Sequence, residues 1–133
     1  MAKHNELGVL GESIAAGYLV EKGMRVVERN FRRPYGEIDI IARATDGLLV
    51  FVEVKSVSYE ISRGDPSRVS YETYRPEENI HPQKLRRLSR TIEAYLLSKR
   101  YDGDWRFDVV AVFIDPKSRE ARIRHTEDVI IGA

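Results

Sequence analysis

Apolar residues first recur at helical spacing. Leu7, Leu10, Ile14 and Tyr18 form one stripe and Gly23 follows as a stop, which predicts a helix over Asn5–Lys22. The period then shortens. Met24–Phe31 predicts a strand, Arg32–Gly36 a turn, and Glu37–Ala44 and Leu48–Val57 two further strands joined by Thr45-Asp46-Gly47. Ser58–His81 is polar and tyrosine-rich, with prolines at 66 and 76. Pro82 suits the first position of a second helix. Its apolar stripe is Leu85, Leu88, Ile92, Tyr95 and Leu96, ending about Lys99. Arg106–Asp115 and Glu120–His125 predict two last strands. LLVFVEVK and FDVVAVFI are apolar at almost every position, so both faces of the central sheet should be covered. The expected class is α/β: a single mixed five-stranded sheet flanked by helices on both faces, in the order α-β-β-β-α-β-β.

Composition narrows this picture. At 133 residues the chain is one domain, 1–133, with a long irregular segment at about 58–81. The 42% hydrophobic and 32% charged content fits a globular protein and argues against a disordered one. Absence of cysteine excludes a disulfide framework and any thiolate metal site. Glu6 and Glu12 interrupt the first helix where an export signal would be apolar, and no apolar run approaches a membrane span. A cytoplasmic protein with no membrane partner is expected. The formal net charge of +1 gives weak support for a nucleic-acid partner, but its distribution is uneven. Arg25, Arg29, Arg32 and Arg33 crowd one segment, and Lys84, Arg86, Arg87 and Arg90 another.

Charge also interrupts the two apolar strands, at Glu37, Asp39, Glu53 and Lys55. Register decides whether these groups can meet, because side chains alternate faces along a strand. A two-residue Asp-Gly turn would pair Ile40 with Glu53. A three-residue loop pairs Ala44 with Leu48, puts Asp39 opposite Glu53 and Glu37 opposite Lys55, and places Gly47 where a left-handed residue is needed. The second register is the expected one. It assigns Ile38, Ile40, Ala42, Val50, Val52 and Val54 to one face, and Ile41, Leu49 and Phe51 to the other.

Carboxylates about 5 Å apart repel by roughly 3 kcal/mol at an effective dielectric near 20. A divalent cation turns that conflict into binding, and hard oxygen ligands favour magnesium or manganese over zinc. The plainer alternative for Glu37 and Lys55 is a solvated cross-strand salt bridge. Glu12 has only Gly8, Val9, Ala15 and Ala16 as helical neighbours at three and four positions, so nothing on its own helix can pair with it. It is either an acid reaching towards the sheet-end cluster or a surface glutamate.

An acid on one strand followed by Glu-x-Lys on the next resembles the PD-(D/E)XK nuclease superfamily. GESIAAGYL, RNFRRPYGEIDIIA, LVFVEVKS and WRFDVV together resemble the YraN-like family, which is similar in fold to archaeal Holliday-junction resolvases. The match spans nearly the whole chain except Tyr59–His81. The resemblance implies a restriction-endonuclease-like fold, metal-binding roles for Asp39 and Glu53, and a catalytic Lys55. Glu12 matches a helix glutamate, and Glu37 a family acid of less certain role. It also implies hydrolysis of nucleic-acid phosphodiesters, DNA foremost, with branched or flapped structures among the candidates. The cofactor would be Mg2+ or Mn2+, with the Val54 carbonyl as a further ligand candidate. Lys55 is expected to act electrostatically rather than as a base.

Arg32, Arg33, Lys84 and Arg87 are the candidate nucleic-acid contacts; a solvated helix face is the alternative for those on the helix. Tyr59, Tyr71 and Tyr74 could stack on bases or, the preferred reading, pack the long segment onto its own domain or a second subunit. A homodimer is left open. Asp108 either supports the site or satisfies an arginine. His4, His81 and His125 lack ligand spacing and receive no chemistry. The competing classes are a non-catalytic nucleic-acid-binding module and an assembly protein on the same fold.

Overall fold

The computed structural model describes residues 3–58 and 75–131. Two α-helices, α1 (Lys3–Glu21) and α2 (Pro82–Ser98), accompany five strands: β1 (Arg25–Arg33), β2 (Gly36–Arg43), β3 (Leu49–Ser58), β4 (Trp105–Ile114) and β5 (Ala121–Thr126). They lie in one sheet in the order β1-β2-β3-β4-β5. β1–β2, β2–β3 and β4–β5 are antiparallel, and β3–β4 is parallel. The mixed sheet and the element order are those expected. A short 3-10 turn over Pro76–Asn79 falls within the segment expected to be irregular, and Ser58 ends β3. Tyr59, Tyr71 and Tyr74 lie outside the described residues. Among the described residues, no helix is long and apolar enough to cross a membrane.

Local chemistry sets the element ends. Gly23 takes a left-handed backbone (φ 94°), and the Met24 amide reaches back to the Leu19 carbonyl at 3.0 Å, closing α1 in a Schellman-type stop. His81 caps α2: its Nδ1 accepts from the Gln83 amide at 3.0 Å, and Pro82 fills the first turn, where no amide is needed. Gly47 (φ 89°) closes the β2–β3 loop. Its amide donates to the Ala44 carbonyl and the Ala44 amide to the Leu48 carbonyl, each at 2.9 Å. Ala42 therefore pairs with Val50 and Ile40 with Val52, the register of the three-residue loop.

The sheet divides two cores. On the α2 side Phe31, Ile38, Ile41, Leu49, Phe51 and Phe107 pack with Leu88, Ile92 and Tyr95. On the α1 side Ile40, Ala42, Val50, Val52, Val110 and Val112 pack with Ala15 and Leu19. Each fully buried side chain of this size contributes roughly 1.5–3 kcal/mol. Ile38 departs from simple alternation. It belongs to the α2-side core, whereas Ile40, two residues away, belongs to the α1-side core. β2 therefore turns over at Asp39.

Candidate active site

The β2–β3 ladder runs from Arg43–Leu49 to Ile40–Val52 and stops there. Beyond that point the strands part, and Asp39 occupies the opening. Its Oδ2 accepts the Val54 amide at 2.8 Å, a donor that a continued ladder would have used. Glu53, one residue beyond the last pair on β3, is only 3% exposed. The two carboxylates meet just past the last pair of the ladder. Burial, and after it the Glu53 charge, pushes the Asp39 carboxyl up to about 8, against the pull of the Val54 amide.

Lys84 of α2 completes this arrangement by forming an ion pair with Glu53. Burial alone would depress the Lys84 ammonium, but the charges of Glu53, Asp39 and Glu37 hold it above the ordinary lysine range. The ammonium supplies positive charge beside the two acids. Lys84 was expected as a phosphate contact; its position beside Glu53 depends on how α2 docks, which periodicity does not reveal.

The opening leads into a cavity of about 630 Å³ on the α1 side. Asp39, Lys55, Glu12, Glu37, Arg32 and Lys84 all line it. A second cavity, on the α2 side, is lined by Asp39, Glu53, Lys84 and Arg87. Glu37, Asp39 and Lys84 thus face both. A third, shallower cavity continues along the β1–β2 turn over Arg32, Arg33, Tyr35 and Arg87. Each of the nine candidate site residues lines at least one of these three neighbouring cavities.

Glu37, like Lys84, takes a partner other than the one expected. Glu37 does not face Lys55 in a ladder, because the ladder has already ended. It pairs across β1–β2 with Arg32 and forms an ion pair with it. Arg33 donates to the Arg32 carbonyl at 2.7 Å and lies over the Phe31 ring. Glu12 reaches Arg29 at 3.4 Å, a partner on β1 rather than on its own helix. Gly11 permits this position: a Cβ there would stand 1.9 Å from Ser56 Oγ, so only glycine lets α1 approach β3 so closely. Arg29 and Asn30 also line the larger cavity and were missed as site residues. The crowding of arginines hinted at Arg29; nothing in the pattern singled out Asn30.

Asp108 proves to be structural. It is fully buried and accepts from Arg106 Nε at 3.0 Å and the Asp128 amide at 3.0 Å. Its Oδ2 meets His125 Nε2 at 2.7 Å, and His125 Nδ1 meets the Tyr18 hydroxyl at 3.0 Å, tying β4, β5 and α1 together. Burial would raise the Asp108 carboxyl, but His125, the Asp128 amide and Arg106 hold it below the usual range. His125, given no chemistry from spacing, is thus a central structural link.

The donor set is compatible with a hard divalent cation. It offers two converging carboxylates without sulfur or imidazole. Among the described residues no group of three or more His, Cys, Asp or Glu gathers to cage a metal. Magnesium commonly accepts such a site, keeping water and substrate oxygens as its other ligands.

Among solved structures, a repair endonuclease from Pyrococcus abyssi aligns with 87% of this chain and 38% of its own, at 15% identity and a TM-score of 0.40. The SfsA protein of Pyrococcus furiosus, solved in complex with Ca2+, aligns with 93% of this chain and 63% of its own, at 16% identity and a TM-score of 0.35. Sequence relatives are much nearer. A UPF0102 protein of Corynebacterium efficiens is 38% identical over 96% of this chain and 94% of its own length. One from Syntrophus aciditrophicus is 43% identical over 88% and 84%. The model of the Uncharacterised protein family UPF0102 matches residues 11–112. The chain belongs to the UPF0102 family, the YraN-like family that its motifs resemble.

Proposed function

We propose that the protein is a magnesium- or manganese-dependent endonuclease that hydrolyses nucleic-acid phosphodiester bonds, DNA foremost, with branched or flapped structures among the candidate substrates. The observation that carries this reading is the convergence of Asp39 and Glu53 at the parting of β2 and β3, beside a cavity that Lys55 and Glu12 also line. Asp39 and Glu53 would hold the ion. When bound, such an ion supplies Lewis-acid polarisation of the phosphate and a more acidic water. Lys55 would place its ammonium against the negative charge growing on the phosphate. Glu12 would orient Lys55 or an attacking water from the opposite wall. Arg32, Arg33 and Arg87 would receive flanking phosphates in the cavity they line at the β1–β2 turn, which makes binding fall steeply with salt.

Labelled linear, flapped and four-way DNA, incubated with and without Mg2+ or Mn2+, tests the proposal. Metal-dependent cleavage that Lys55→Ala abolishes is expected. Cleavage unchanged in Lys55→Ala would defeat these roles. Calorimetric titration with Mg2+ should show binding that Asp39→Asn and Glu53→Gln each weaken.

One observation favours a second reading. The Lys84–Glu53 ion pair already neutralises one of the two acids, as a binding module without a metal would require. Structure-selective DNA binding with no cleavage under any metal would support that alternative.

A further inference from the structure

We propose that Asn30 is a positioning residue: its left-handed backbone inverts β1, carries Phe31 and Ile38 into the α2-side core, and so seats Asp39 in the opening beside Glu53. The inversion is written in the pairings. Arg29 pairs with Ile40 and Phe31 with Ile38. Ile40 lies in the α1-side core, and Arg29 reaches Glu12 on α1. Phe31 and Ile38, two residues further along each strand, lie instead in the core under α2. Residues two apart share a face in a regular strand, so both strands turn over between these pairs. The residues at the turnover are Asn30 and Asp39.

Asn30 has φ 54°, in the left-handed region. Asparagine is among the few residues other than glycine that enter this region readily, and in a strand interior the conformation redirects the side chains that follow. The redirection determines what the cavity contains. With unbroken alternation, Phe31 and Ile38 would stand on the α1 side, where Arg32 and Glu37 now line the cavity with Glu12 and Lys55. An aromatic ring and a branched aliphatic chain would then fill the space proposed for a phosphate. Inversion sends them to Leu88, Ile92 and Tyr95, and leaves Asp39 between the two faces. Calling the opening an active site rests on the proposed function; the positioning of Asp39 by Asn30 does not.

The Val54 amide reports this geometry without metal or substrate, because its acceptor is the Asp39 carboxylate. Hydrogen exchange would be followed in the metal-free protein, with the β4 amides as an internal reference for global stability. Asn30→Gly, which keeps the left-handed backbone, should leave Val54 exchange within about threefold of wild type. Asn30→Val, which resists that backbone, should accelerate it by roughly tenfold or more relative to β4. Should Asn30→Val not fold, Asn30→Ala replaces it with the same expected direction. Unchanged Val54 protection in the non-glycine variants overturns the proposal. Equal loss in Asn30→Gly overturns it too, since the side chain rather than the backbone would then be responsible. Mg2+ titration of the same proteins separates the two ideas. If wild type binds no ion while Val54 still responds as stated, the catalytic reading fails and the role of Asn30 stands.

Discussion

Replacing Asp39 with asparagine should make the metal-free protein less sensitive to rising pH. The carboxyl has an ordinary value of 3.8 and sits at about 8 in the folded chain, chiefly through burial and secondly through Glu53. A carboxyl raised on folding favours the native state while it is protonated. Its contribution is complete below about pH 4 and is lost as pH climbs through the folded value near 8. Within that window the native chain holds one more proton than the unfolded chain, so stability falls by about 1.4 kcal/mol per pH unit. Swinging the carboxylate towards the open cavity and the Lys84 ammonium recovers part of this. The expected loss between pH 5 and pH 8 is therefore ~2–4 kcal/mol, a large share of the 5–15 kcal/mol that holds an ordinary domain together.

Urea unfolding in EDTA at pH 5, 6, 7 and 8 measures the loss directly. With denaturant slopes of about 1–3 kcal/mol per molar, the wild-type midpoint should drop by roughly 0.2–1.3 M per pH unit relative to Asp39→Asn. Subtracting the two profiles cancels the histidines and the carboxylates remote from Asp39, and leaves the joint contribution of Asp39 and the neighbours coupled to it. Parallel profiles would show that Asp39 ionises normally and would refute its confinement between Val54 and Glu53. On the proposed function, the same proton would leave when a divalent ion binds. Calorimetry in buffers of different ionisation enthalpy should count about one proton released at pH 6–7, and none in Asp39→Asn.

Lys84→Ala leaves the buried Glu53 without its cation, and should destabilise the metal-free protein by ~1–3 kcal/mol, with recovery of melting temperature in millimolar Mg2+. No recovery would argue against an ion between the acids. Gly11→Ala drives a methyl into Ser56 and should cost about 1–3 kcal/mol in thermal unfolding; Ser56→Gly in the same chain should restore most of it. Asp108→Asn weakens a link shared by Arg106, His125 and the Asp128 amide, and should cost about 1–3 kcal/mol at pH 7. Because the Asp108 carboxyl is depressed on folding, its contribution is present above the unfolded value and lost as pH falls through the folded one, opposite in sign to Asp39. The penalty of Asp108→Asn should therefore shrink in acid.

Much of this site was legible because a strand is a strict geometric code. Gly47 sets the loop length, the loop length sets the register, and that register carries Asp39 towards Glu53 just past its last pair, Ile40–Val52. The limits of that code lie where the backbone leaves its period. Counting by twos put Ile38 beside Ile40 and Glu37 beside Lys55. The turnover at Asn30 and Asp39 sends Ile38 to the other core, and the end of the ladder gives Glu37 to Arg32. A left-handed asparagine inside a strand carries no periodic signature. The docking of α2 was equally hidden. Leu88, Ile92 and Tyr95 identify its buried face, but that Lys84 then lands on Glu53 depends on a helix crossing that amino-acid spacing does not encode.

The interruption of the ladder also explains why strong charges are tolerated beside a dry core. A continued β2–β3 ladder would bury Asp39 and Glu53 between matched strands, with no room for a counter-charge. Parting the strands after Ile40–Val52 frees the Val54 amide and opens both faces of the sheet to Asp39. The amide takes one carboxylate and Lys84 the other. Neither solution is complete, since Asp39 still retains its proton to about pH 8. A fully satisfied structural pair would have carried a depressed carboxyl, as Asp108 does among three donors. The contrast between these two buried aspartates in one sheet is physical: three donors hold the Asp108 carboxyl low, whereas burial and the Glu53 charge outweigh the single amide that reaches Asp39.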